Sequence, residues 1–116
     1  MKENLLISLS RNFAVDIIHI CEKVKKERHC SVLTNQLLRC GTSIGANVKE
    51  ATRGQSKPDF YSKLNIALKE ASETEYWLEI LYETEYIDKK LFDSINSDCQ
   101  ELIKLLVSIT KTQKQK

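Results

Sequence analysis

Residues 36–54, QLLRCGTSIGANVKEATRG, read as one helix whose two sides have opposite chemistry. At about 100° per residue, Leu37, Gly41, Ile44, Val48 and Ala51 form an apolar stripe. Arg39, Ser43, Asn47, Glu50 and Gly54 form a second stripe of polar and small groups. The apolar stripe has to be buried against a neighbouring element. Each Gly inside a helix costs about 1 kcal/mol relative to Ala, so Gly41 and Gly45, four residues apart, predict a close approach of another helix. The run GTSIG is not a phosphate-binding loop, because it lacks the Gly-Lys-Ser/Thr ending and no strand precedes it.

The rest of the chain supplies three partners for this helix. Three Gly and one Pro in 116 residues leave few turn signals, which implies an all-α protein of long helices and short loops. Leu6, Leu9, Phe13, Ile17, Ile20 and Val24 predict a first helix over about Glu3–Glu27, its stripe widened by Ile7, Ala14, Ile18 and Cys21. Ser31 is the expected N-cap of the second helix, and Gly54 is expected to take the left-handed position after its end. Ser56, Pro58 and Asp59 signal the start of a third helix near Lys57 that runs to Tyr82 or Thr84. Asp88 caps a fourth, with Leu91, Ile95, Cys99, Leu102, Leu106 and Ile109 as its core stripe. Short links make consecutive helices antiparallel, so the expected architecture is an antiparallel up-down-up-down four-helix bundle. Residues 1–116 form a single domain in this reading, with 111–116 a frayed basic tail.

The formal net charge is only +2, which does not by itself announce a binder of nucleic acid or membrane. The four cysteines have no metal-type spacing and no accompanying base, and neither His19 nor His29 has a ligand partner at helical spacing. No metal, cofactor, small-molecule substrate or enzymatic activity is therefore expected. The N-terminal segment lacks a signal-peptide cleavage pattern and no stretch of 18 apolar residues exists, so reduced thiols in a cytoplasm and no membrane span are expected.

Two surface expectations come from helical phase. Ile66, Trp77 and Ile80 lie on a second apolar side of the third helix, where Trp77 either covers a seam of the bundle or anchors an oligomer interface. The interface reading adds Ile18 and Phe92 to that contact. Glu75 falls near the centre of the third helix's apolar side and needs a partner, for which Arg39, Arg53 and Ser43 are available. A structural polar network of Arg39, Ser43, Asn47, Glu50, Glu73 and Glu75 is thus expected, with Glu75 in an ion pair that fixes helix register rather than acting as a catalytic acid. Lys23, Lys25, Lys26 and Arg28 end the first helix and Lys49, Arg53 and Lys57 the second. They complement helix dipoles, and in an assembly of several copies they become candidate phosphate contacts.

The strings Arg39, Ser43, Ile44, Asn47, Glu50 and Leu64, Asn65, Ala67, Glu73, Glu75 resemble, at the family's spacing, those of the 23S rRNA intervening-sequence proteins. The resemblance covers about Phe13 through Ile87, with Cys40 where Ser is common and Ala51-Thr52 in place of a Gly-containing stretch. It implies small bacterial four-helix bundles, related to accessory proteins of diversity-generating retroelements that form homopentamers and associate with a reverse transcriptase and nucleic acid. The function so implied is that of a non-enzymatic, pentameric accessory factor for nucleic acid or ribonucleoprotein. The alternative is a protein-interaction scaffold that binds no nucleic acid.

Overall fold

In a computed structural model, which describes residues 2–114, the chain forms four α-helices: α1 (Lys2–Arg28), α2 (Ser31–Thr52), α3 (Lys57–Glu83) and α4 (Lys89–Lys114). Paired residues show the directions. Gly41 and Gly45 face Ile17 and Ser10 of α1, and Arg39 and Glu50 reach Glu70 and Lys63 of α3. Cys99 of α4 donates to the Ala71 carbonyl, and Lys2 of α1 donates to Ser108 of α4. Every adjacent pair is therefore antiparallel, and α1 touches α2 and α4 but not α3. The bundle measures 47 × 21 × 19 Å.

The apolar stripes meet along its axis. Leu6, Phe13, Ile17, Leu37, Ile44, Leu64, Leu78, Leu102 and Leu106 are all buried, as the phase of each helix requires. Four hydroxyl residues are buried among them, and each returns its proton to its own helix: Thr34 to Cys30 O, Thr74 to Glu70 O, Thr110 to Leu106 O and Ser10 to Ile7 O. No desolvated donor is left over at these positions, which is why the core tolerates them.

The helix ends differ from expectation in two places. Cys30, without a side-chain bond, occupies the N-cap of α2, so Ser31 is already helical. The left-handed residues that end helices are His29 (φ 54°) and Glu85 (φ 65°), and Gly54 is not one of them. Gly54 is needed for space instead, since a Cβ there would lie 3.2 Å from Ala51 O and 3.3 Å from Asp59 Cβ. At Glu85 the chain closes α3 with Tyr86 N–H donating to Leu81 O at 2.8 Å and Glu85 N–H to Tyr82 O at 3.0 Å, a double bond pattern that satisfies the last carbonyls. Arg28 locks this corner to α1 by donating to Glu85 O at 3.0 Å and lying 4.3 Å over the Tyr86 ring. The caps expected at Ser56 and Asp88 are formed, through bonds from Asp59 N–H and Leu91 N–H. α4 continues through 111–114, where a frayed tail was expected, and residues 115–116 of that expectation lie outside the described residues.

The thiols of Cys21, Cys40 and Cys99 are core groups. Burial is the main cause that pushes Cys21 up to about 11 and Cys99 up to about 12, and it raises Cys40 as well. A thiol that stays protonated in the folded state while its unfolded counterpart ionises makes stability fall as pH rises above about 9. Titration of folded protein with a chromogenic disulfide at pH 8 is expected to show one accessible thiol, the half-buried Cys30, and four after denaturation.

A second prediction concerns Gly41, where a Cβ would sit 2.8 Å from Cγ2 of the fully buried Ile17. Ile17 is β-branched and stiff, so the clash cannot be relieved by rotation alone. Gly41→Ala is expected to lower stability by about 1–3 kcal/mol in urea unfolding despite its better helix propensity.

Candidate functional site

Two exposed furrows flank α2, one against α3 and one against α1, and between them they hold most of the residues singled out above. On the α3 side, the Arg39 guanidinium pairs with Glu73 and, at 3.3 Å, with Glu70. The Trp77 indole N–H donates to the same Glu73 oxygen at 3.3 Å, so Glu73 joins the cation to the aromatic ring. Arg39 is 51% exposed, which makes this a surface pair that fixes register more than it stabilises.

The wider polar network is not assembled. Glu75 is half-buried rather than central, because the buried position on that turn belongs to Thr74. Among the described residues no hydrogen bond or ion pair to Glu75 occurs; it lies near Cys99 of α4, on the flank away from Arg39. Glu50 pairs with Lys63 at 3.2 Å, and Ser43 Oγ and Asn47 Nδ2 each donate to a carbonyl one turn back, Arg39 O and Ser43 O. The partner that the sequence reading missed is Glu70. Its signal was present, since Glu70, Glu73 and Trp77 recur at helical spacing on one flank.

The five candidate interface residues do not form one patch. Ile66, 40% exposed, and the half-buried Trp77 and Ile80 share the α2-facing flank of α3, at spacings of 11 and 14 residues. Phe92 belongs to the α3–α4 seam, stacked on Tyr82 with centroids 4.6 Å apart. Ile18 lines a separate groove nearer the other end of the α1–α2 seam, with Cys21, Thr34 and Leu38.

The seven candidate phosphate contacts are likewise divided. Lys23, Lys25, Lys26 and Arg28 stand at one end of the bundle, among Glu22, Glu27 and the acidic last turns of α3, and Arg28 is engaged with Glu85 and Tyr86. Lys49, Arg53 and Lys57 stand at the other end, where α2 stops and α3 begins. There Lys49 and Arg53 line a furrow of about 400 Å³ together with Arg11 of α1, and no carboxylate lines it. Arg11 was overlooked, although it falls in the row Ile7, Arg11, Ala14, Ile18 that widens the first helix's stripe.

Among the described residues no group of three or more His, Cys, Asp or Glu is placed to hold a metal ion, and no helix is long and apolar enough to cross a membrane. Asp98, raised by burial and then by Asp16 and Glu101, faces a shallow groove with His19 between α1 and α4. Ser94 lines the same groove, and no hydrogen bond joins it to His19 or Asp98 among the described residues.

Glu75→Ala is expected to change stability by less than about 0.5 kcal/mol, as for a surface position. Arg39→Ala should cost about 0.2–1 kcal/mol, read from the urea midpoint at constant slope.

The family model for 23S rRNA-intervening sequence protein matches residues 2–108. Among solved structures, the crystal structure of a protein with unknown function from the S23 ribosomal protein family of Bacteroides thetaiotaomicron VPI-5482 is 52% identical. It superposes with a TM-score of 0.93 over 96% of this chain and 99% of the other. No curated protein matches. Helix order, the two-sided α2 and a match over nearly the whole chain agree, and the chain belongs to the 23S rRNA-intervening sequence protein family.

Proposed function

We propose that the protein is a non-enzymatic, cytoplasmic homo-oligomer, pentameric as the resemblance implies, that serves as an accessory factor binding nucleic acid or ribonucleoprotein. The observation that carries this reading is the separation of charge along the bundle. Lys2, Arg11, Lys49, Arg53, Lys57 and Lys63 gather where α1 starts, α2 ends and α3 starts, against Glu3, Glu50 and Asp59. The far half of α3 is acidic, with Glu73, Glu75, Glu79, Glu83 and Glu85. A net charge of +2 therefore conceals a basic end able to meet phosphates. Self-association is supported by the α2-facing flank of α3, where Ile80 lies one turn from Trp77 and Ile66 lies on the same row beyond Glu70 and Glu73. The same flank, together with the half-exposed Tyr76, favours the second reading, a protein-interaction scaffold without nucleic acid.

Light scattering of nuclease-treated protein, with and without short RNA and DNA strands at two salt concentrations, tests both. The expected result is an oligomer whose mass shifts with a strand at low salt and shifts less at moderate salt. Lys49→Gln with Arg53→Gln is expected to reduce strand affinity by about tenfold or more and to lower the salt slope by about two. An oligomer that ignores every strand leaves the scaffold. Ile66→Ser with Ile80→Ser is expected to reduce the oligomer's mass with helix content retained in circular dichroism, and an unchanged mass would remove this flank from the interface.

A further inference from the structure

We infer that the α1–α2 furrow is a binding site for a phosphate ester, with Arg11, Lys49 and Arg53 on the phosphate and Ile7 and Ala14 against the apolar body of the ligand. The site goes beyond the proposed function in naming its residues and ligand chemistry, and it rests on that reading only where the ester is part of a strand.

Three observations support it. Lys49, in the last turn of α2, and Arg53, its C-cap, are four residues apart, and Arg11 faces them from α1, so three like charges repel across one furrow. Arg39, Lys63 and Lys89 each pair with a carboxylate, whereas Arg11, Lys49 and Arg53 converge on one furrow that no carboxylate lines. An anion in the furrow would relieve that repulsion.

The furrow's shape also selects. Its volume of about 400 Å³ lies in the range that holds a nucleotide-sized ligand. Its hydroxyls do not compete for the anion as donors, since Thr42 gives its proton to Leu38 O at 2.7 Å and Thr52 to Lys49 O at 2.7 Å. Recognition then falls to the two guanidinium forks, which match phosphate geometry, and to the Lys49 ammonium. The small Gly45 and Ala46 give the furrow its depth on the α2 side.

Titration calorimetry of the full chain with pyrophosphate, adenosine triphosphate and a short single-stranded oligonucleotide tests the site. Pyrophosphate and the nucleotide are expected to bind once per chain, to weaken about tenfold or more in Arg11→Gln, and to recover only in part in Arg11→Lys, which restores the charge but not the fork. Ala46→Leu, which fills the furrow without removing a charge, should produce the same loss, and circular dichroism checks that each variant is folded. If the strand weakens in parallel in Arg11→Gln, the ester is a nucleic-acid backbone; if only the small ligands weaken, it is a free ester. Absence of pyrophosphate binding, or binding unchanged in Arg11→Gln and Ala46→Leu, overturns the site. Strand binding that then persists but is lost in Lys57→Gln with Lys63→Gln would leave the basic-end reading standing without it.

Discussion

The approach of α1 to α2 at Gly41 and Gly45 is the constraint on which the rest of the bundle depends. A missing Cβ at 41 leaves room for Ile17, and one at 45 lets the Ser10 carbonyl come within what would be 3.2 Å of it. Two helices held this near bury Ile17, Ile44 and Val48 along their seam and leave an unfilled channel on their outer side. The propensity lost at two glycines inside a helix is recovered as packing, since the core around them has Phe13, Ile17, Leu37 and Ile44 at 2% exposure or less.

α2 then works as the molecule's organising element because both of its flanks are used. Toward α1 it presents small residues and two cations, and toward α3 it presents Arg39 and Glu50, whose partners Glu70, Glu73 and Lys63 set the register of the pair. Such exposed pairs add little energy, but a register shift of one turn would put like charges opposite each other. Orientation along the axis follows from the same alternation, with cations collected near the glycines and carboxylates on the far half of α3.

The architecture was legible in the sequence because it rests on periodicity and capping, which are local. Helix limits agreed to within about two residues, a normal margin for helix ends, except at the end of α4, which runs on to Lys114. The left-handed role of Gly54 was misread because a glycine at a helix end can answer either to backbone conformation or to space, and only the nearness of Asp59 and Phe60 distinguishes them. Glu75 was misplaced for a related reason: an angular position on one helix does not say which neighbour lies above it, and Thr74 took the buried slot by bonding its own backbone. The grouping of surface residues was the least legible part. Ile18 and Phe92, or Lys25 and Lys49, look alike in sequence, yet they belong to separate seams or opposite ends. Arg11 needed α2 beside it before its charge acquired company.

The ring of contacts has one seam unlike the others. α1–α2, α2–α3 and α3–α4 each join helices that are neighbours in the chain across links of two to five residues, whereas α1–α4 joins the first helix to the last and is the thinnest of the four. Three hairpins can form from local search alone, each paying little loop-closure entropy, while the fourth seam must wait until both ends of the chain have been brought round. Closing that seam is therefore expected to be the late step of folding, and its opening a route by which solvent reaches Leu6, Leu102 and Leu106.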